Sequence, residues 1–140
     1  MTETVSFVVQ SKAAPQGSKR HVGNGVMIES SKRVKPFRQD VRFTAIDAKP
    51  DDWDTSGAFK IFVDFYFQRP MSHMTSKGKL RKSAPLYPTG RNIGDIEKLL
   101  RSVHDALSEV LFNDDSQVIA CFCHKFYASE SSTVITLTHV

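Results

Sequence analysis

The stretch from Gly94 to Ile119, GDIEKLLRSVHDALSEVLFNDDSQVI, constrains the fold of this chain more than any other. Ile96, Leu99, Leu100, Val103, Leu107, Val110 and Leu111 recur at steps of three and four, the period of a helix that buries one face. Directly after it, Gln117 to Phe126 reads as a strand. Carboxylates stand at both ends of the helical pattern, Asp95 and Glu97 in front and Asp114 and Asp115 behind. Two readings stay open. Asp95 caps the helix and Asp114-Asp115 make a polar turn, or the acids supply hard oxygen ligands to a divalent cation.

The rest of the chain supplies a sheet. Residues 3–10 alternate around Val5, Phe7 and Val9. Phe59 to Gln68 is the clearest strand, with Phe59, Ile61, Val63, Phe65 and Phe67 on one face. Its other face, Lys60, Phe62, Asp64, Tyr66 and Gln68, is only half polar, so a helix or a partner subunit is expected over part of it. Pro36 to Ala48 places Phe37, Val41, Ala45 and Ala48 on one helical face, and puts Arg38 and Arg42 on another that would track a DNA backbone. Gly23-Asn24-Gly25 suggests a short hairpin. A last strand over 133–140 follows an SESS turn that predicts a second hairpin. Together these give one domain over residues 1–140 of the α+β class: a mixed sheet of about five to six strands with two main helices.

Composition narrows the function. Hydrophobic content of 40% and charged content of 24% are ordinary for a globular domain. No apolar run is long enough to span a membrane, and the first ten residues lack the pattern of a signal peptide. Cys121-Phe122-Cys123-His124 invites zinc, but a structural zinc site needs a second ligand pair that the sequence lacks, so reduced thiols in an intracellular protein are expected.

The net charge of +4 is less informative than its placement. Lys12, Lys19, Arg20, Lys32, Arg33, Lys35, Arg38 and Arg42 crowd one segment against only Glu29 and Asp40. Arg69, Lys77, Lys79, Arg81, Lys82, Arg91, Lys98 and Arg101 crowd another, which runs straight into Asp95 and Glu97. Two basic segments beside acids fit a polyanion delivered to a metal site. Residues 69–91, with three prolines and few apolar residues, read as a basic flap that orders on DNA, with Tyr87 placed to stack on a base.

The 90–120 segment resembles the signature of the RusA-type Holliday junction resolvases, D-I-D-N-L-x-K-x-x-x-D-A-L followed after about ten residues by D-D-x-Q-V. Asp95 falls on the first family aspartate, Glu97 on the second, Arg101 on the family lysine, Asp105-Ala106-Leu107 on D-A-L, and Asp115 on the third metal-site aspartate with Gln117 after it. Weaker echoes are PQGSKR at 15–20 and Arg69-Pro70 after the strand. The chain departs from the pattern at Glu97 for aspartate, Lys98 for a common asparagine, and Arg101 for lysine. Arginine stays protonated, so Arg101 offers a charge to the scissile phosphate and not a proton.

The resemblance implies a magnesium-dependent endonuclease, with manganese a possible substitute, that nicks four-way DNA junctions symmetrically. It implies Asp95, Glu97 and Asp115 as metal ligands and Arg101 as a catalytic cation. Lys19, Arg20, Lys32, Arg33, Lys35, Arg69, Lys77, Lys79, Arg81, Lys82, Arg91 and Lys98 are the expected DNA contacts. The implied setting is the cytoplasm of a bacterium or of a phage-infected cell, and the implied assembly is a homodimer. The alternatives are a non-catalytic junction-binding protein and a nuclease for other branched DNA. A helix from Ile96 is about 18 Å long if it ends at Leu107 and about 24 Å if it reaches Leu111, so Asp95 and Asp115 start at opposite ends of a rod. Either the segment after the helix doubles back, or Asp115 joins Asp95 of a second subunit.

Overall fold

The computed structural model describes residues 1–17, 19–21, 27–29 and 32–140, with 19–21 and 27–29 described by backbone alone. The elements are strands β1 (Thr4–Val9), β2 (Lys19–His21) and β3 (Met27–Glu29), helix α1 (Val34–Ala48), strand β4 (Phe59–Gln68), helix α2 (Ile96–Leu107), and strands β5 (Val118–Ala128) and β6 (Ser132–His139). No helix is long and apolar enough to cross a membrane among the described residues.

β4 organises the sheet. Its inner face, Phe59, Ile61, Val63, Phe65 and Phe67, is essentially inaccessible, as the alternation predicted. A strand with five large apolar side chains on one face gains most when flanked on both sides, and β4 takes an interior position in the order β1-β6-β4-β5. β6 pairs antiparallel with β4 and β1, while β5 pairs parallel with β4. Both helices pack on the inner face, α1 over β1 and α2 over β5, and meet each other there. Val34, Phe37, Val41 and Ala45 of α1 and Leu99, Val103, Ala106 and Leu107 of α2 close the core.

Three expectations need correction. Among the described residues the main sheet has four strands, not five or six. β2 and β3 are three residues each and pair only with one another, since KRH and MIE carry too little apolar alternation to join a buried ladder. The predicted Gly23-Asn24-Gly25 turn lies outside the described residues. Second, β5 and β6 are not a hairpin: Ser129–Ser131 steps across the end of β4, which lies between them. The short polar link was compatible with both arrangements, and the apolar face of β4 decided it by taking neighbours on both sides. Third, α1 begins at Val34, two residues before Pro36, with the first helical bond from Phe37 N to Arg33 O at 3.1 Å. Pro36 still sits in the first turn, where its missing N–H costs nothing.

Trp53 closes the bottom of the core, donating from Nε1 to Leu111 O at 2.7 Å and stacking on Phe59. Among the described residues, no helix covers the outer face of β4. There Phe62 stacks on Phe122 with centroids 4.8 Å apart, and Tyr66 on Phe126 at 5.5 Å. Asp64 pairs with His124 Nδ1 at 3.2 Å on the same face.

Candidate active site

α2 places the first acids. Asp95 occupies the N-cap position but makes no side-chain cap bond. Its carboxylate is 75% exposed and lies 4.0 Å from Lys98 Nζ, one turn on. Capping therefore does not account for this aspartate. Glu97, in the first turn, is exposed as well, and the charge of both suits a helix N-terminus.

The PQG echo near the N-terminus turns out to be a neighbour of this helix. Gln16 N donates to Lys98 O at 2.9 Å, and the Gln16 side chain donates to Asp105 while accepting from Arg38 Nη1 at 2.9 Å. Gly94 has φ +101°, and a Cβ there would lie 2.6 Å from the Pro15 ring. Gly17 has φ +109°, and a Cβ would meet Arg101 Nη1 at 3.0 Å. Both positions need glycine, and together they seat the loop against the turn of α2 that carries Lys98 and Arg101. The segment leading into basic Lys19 and Arg20 thus starts beside Arg101.

The second basic segment arrives at the same end. Lys125 Nζ donates to Gly94 O at 3.1 Å, tying β5 to the start of α2. A cavity of about 320 Å³ next to it is lined by Lys12, His73, Tyr127, Asn92 and Ile93, among others. Partial burial, and then the charge of Arg33, push the Lys12 ammonium below its ordinary pKa. Two cations that repel each other suit an anion between them. Lys32, Arg33, Lys35, Lys77, Lys79, Arg81, Lys82 and Arg91 are all exposed, as a DNA surface requires.

Other cations have structural work. Arg69 donates to Pro85 O at 2.7 Å and to Leu86 O at 3.3 Å, and its guanidinium lies 4.3 Å over the Tyr127 ring. It clasps the 70–91 segment to β5. That segment has its own shape, with a 3-10 turn at Met71–His73, a bridge between Met74 and Leu80, and Arg81 N bound to His73 O at 2.8 Å. Tyr87 at its rim is exposed. Arg38 donates to Gln16 and lies 4.0 Å from Asp105, and Arg42 donates to Ser108 O at 3.1 Å at the end of α2.

The acids at the other end divide. Asp114 is structural: its carboxylate accepts from Ser116 N at 2.9 Å in a capping box completed by Gln117. That bonding, the Ser116 side chain first, holds its carboxyl below the usual range. Gln117 accepts from Asn113 N and Asp114 N and donates to Thr55 O and Gly57 O at 2.8 and 3.0 Å. It locks the turn on which exposed Asp115 stands. Gln16 and Gln117 are positioning residues that charge and periodicity did not reveal. Their only signal was their place in the PQGSKR and DDSQV motifs.

After Leu107 the chain turns tightly, with Glu109 at φ +67° and Val110 N bound to Leu107 O at 3.0 Å. It does not double back along α2. β5 runs antiparallel to the helix, so Asp95 sits near Lys125 while Asp115 sits just before Val118, roughly 20 Å away by the rise of a strand. Among the described residues, no three His, Cys, Asp or Glu side chains come together to hold a metal. Among the described residues of one chain, Asp95 and Glu97 offer hard carboxylate oxygens at one end of α2 and Asp115 only at the other.

Residues 9–138 match the family model described as Endodeoxyribonuclease RusA. The chain belongs to the RusA endodeoxyribonuclease family. It is also 30% identical over 142 residues to a protein of Bacillus subtilis (strain 168) named as uncharacterized protein YqaN, a match that covers 99% of this chain and 98% of that protein. The RusA match spans all the elements that carry the acids and both basic segments.

The cysteines and two histidines have simpler roles. Cys121 and Cys123 share one strand face while His124 points to the other, so CxCH does not converge. Burial pushes the Cys123 thiol up to about 11. His104 packs edge-on against Phe112 at 6.2 Å, and its Nε2 is buried without a partner. Burial lowers its pKa, opposed by the charges of Asp115 and Asp105. The folded state therefore disfavours the protonated form. Stability contributed at this residue is present at and above the unfolded value near 6.5 and is lost as pH falls below it toward the folded value. Urea midpoints are expected to fall between pH 7 and the acid side of that window, and a His104→Asn variant to show less of this fall. An unchanged slope in the variant would reject the assignment.

Proposed function

We propose that this RusA-family chain is a magnesium-dependent endodeoxyribonuclease that resolves four-way DNA junctions by paired symmetric nicks, acting as a homodimer in the cytoplasm of a bacterium or phage-infected cell. The observation that carries this reading is the exposed Asp95–Glu97 pair at the start of α2, beside Lys98 and Arg101 and where both basic segments meet. Because Asp115 lies at the far end of α2, the third ligand is supplied by a second copy, whose two-fold partner gives two equivalent sites. Two sites match two strands to be nicked.

Magnesium, when bound, polarises the phosphate and lowers the pKa of water, chemistry for which carboxylate oxygens are suited. The chain's own residues do the rest. Arg101 and Lys98 hold and neutralise the phosphate, Gln117 fixes the turn of Asp115, and the Gln16–Arg38–Asp105 network holds the basic N-terminal loop on α2. A permanent charge at Arg101 suits phosphate binding and excludes it as a proton shuttle.

The test is cleavage of a labelled synthetic four-way junction with magnesium, manganese or EDTA, beside a flap and a linear duplex. Symmetric nicks are expected with either metal and not with EDTA. Asp95→Asn is expected to lose about 10³-fold or more in rate while binding the junction as before, because it removes charge at the reacting centre. Tight binding without nicking in any metal would establish the second reading, a junction-binding protein in which Glu97 and Arg101 have replaced a working site. Preferred cutting of the flap would assign other branched DNA.

A further inference from the structure

The cavity beside the start of α2 is built like a ligand site. Its volume of about 320 Å³ lies at the small end of the roughly 300–1,000 Å³ typical of such sites, room for one ring system and not for a duplex. Its floor is Phe67 and Ile93, both buried in the core. Tyr127, with His73 edge-on at 5.4 Å, makes an aromatic wall, and Pro70 and Pro85 stiffen the rim. Arg69 holds that wall in place, lying over Tyr127 and donating to Pro85 O. Three polar side chains complete the lining, Asn92, Gln68 and Thr89. Among the described residues none of the three has a side-chain hydrogen bond, whereas Gln16 and Gln117 use both ends of their amides. Gly90 leaves the Asn92 amide its space, since a Cβ there would stand 2.7 Å from Asn92 Oδ1.

We propose that this cavity takes one nucleobase of the bound DNA, drawn out of the stack at the branch, and that Asn92 reads it. A flat heterocycle with hydrogen-bonding edges is the ligand that suits an aromatic wall, an apolar floor and unpaired amides together. An amide presents a donor and an acceptor side by side, the pattern that tells one base edge from another. A phosphate alone would have no use for Tyr127 and Phe67. Among the described residues Lys12 is the one lysine or arginine in the lining, and it suits the phosphate of the same nucleotide. Asn92 and Asp95 are three residues apart, at most ~11 Å along the chain, so the base in the cavity belongs to a nucleotide beside the phosphate held at Asp95. A base at a branch has an interrupted stack and costs least to extrude. The cavity thus makes the position of the cut depend on base identity. The ligand class, though not the built cavity, rests on the reading of this chain as a junction nuclease.

The first readout needs no cleavage. The full chain is bound in EDTA to a four-way junction carrying 2-aminopurine at the nucleotide beside the exchange point. Emission is expected to rise several-fold as the base leaves the stack, and Thr89→Trp, which fills the cavity, to abolish the rise. An excess of free nucleoside monophosphates is expected not to suppress it; suppression would assign the cavity to mononucleotides instead. The second readout is the nicking rate on junctions that differ only at that base. The wild type is expected to favour one base roughly ten-fold or more over the others, and Asn92→Leu, which keeps the volume and loses the amide, to bring that ratio below about three. Thr89 and Asn92 are exposed, so both variants are expected to fold. No rise on binding, a rise that survives Thr89→Trp, or an equal base ratio in wild type and Asn92→Leu would each overturn the assignment. A rise lost in Thr89→Trp from a chain that nicks nothing upholds the cavity and rejects the nuclease reading; nicking without any such rise does the reverse.

Discussion

Asp95→Asn and Asp115→Asn proteins, each inactive alone, are expected to regain junction nicking when unfolded together and refolded as a mixture. In a dimer with shared sites, one Asp95→Asn chain and one Asp115→Asn chain place both defects in the same site. The other site then holds Asp95, Glu97 and Asp115 intact. Random reassortment leaves roughly a quarter of the wild-type number of working sites. The product also differs: a mixed dimer cuts one strand of the junction, so single nicks accumulate and paired resolution does not. If all three acids acted within one chain, every site in the mixture would lack one of them and activity would stay at the level of the single variants. The geometry behind the expectation is the antiparallel run of α2 and β5, with Lys125 held at Gly94 and Asp115 placed before Val118.

The largest expected effect on stability is at Phe65. Its side chain is fully buried in an interior strand, between Thr133 of β6 and Lys125 of β5, and faces both helices. Phe65→Ala removes that burial and leaves a cavity in a core that cannot collapse around it, since β4 is hydrogen-bonded on both sides. A loss of ~3–5 kcal/mol is expected, a large share of the ~5–15 kcal/mol typical of a domain. Phe62→Ala, three residues earlier in β4 on the open face, is expected to cost about 1 kcal/mol through its lost stacking. Urea unfolding of both variants at one protein concentration measures the contrast. Equal losses would show that the outer face is as deeply covered as the inner one.

Much of this was legible in the residues. The period that begins at Ile96 marks α2, because a helix that buries one face has to repeat its apolar positions, although the apolar repeat runs on to Leu111 while the helix ends at Leu107. The alternation of Phe59 to Phe67 fixes which face of β4 is inside. The motif around Asp95 and Asp115 led to the family, while the length of α2 left open whether the chain doubles back to bring the two acids together. What the sequence left open depends on contacts between distant segments. Strand order is one case: three polar residues link β5 to β6 equally well as a hairpin or across β4, and only the gain from flanking β4 on both sides decides. The cations are another. Arg38, Arg42 and Arg69 resemble Lys32 and Lys77 in sequence, yet the first three are spent on Gln16, Ser108, Pro85 and Leu86, while the lysines face solvent. Local periodicity determines which residues are buried, because burial follows the repeat of a single element. Which element lies beside which, and hence which charge remains for DNA, follows from packing energies summed over the whole chain, and only the tertiary structure expresses them.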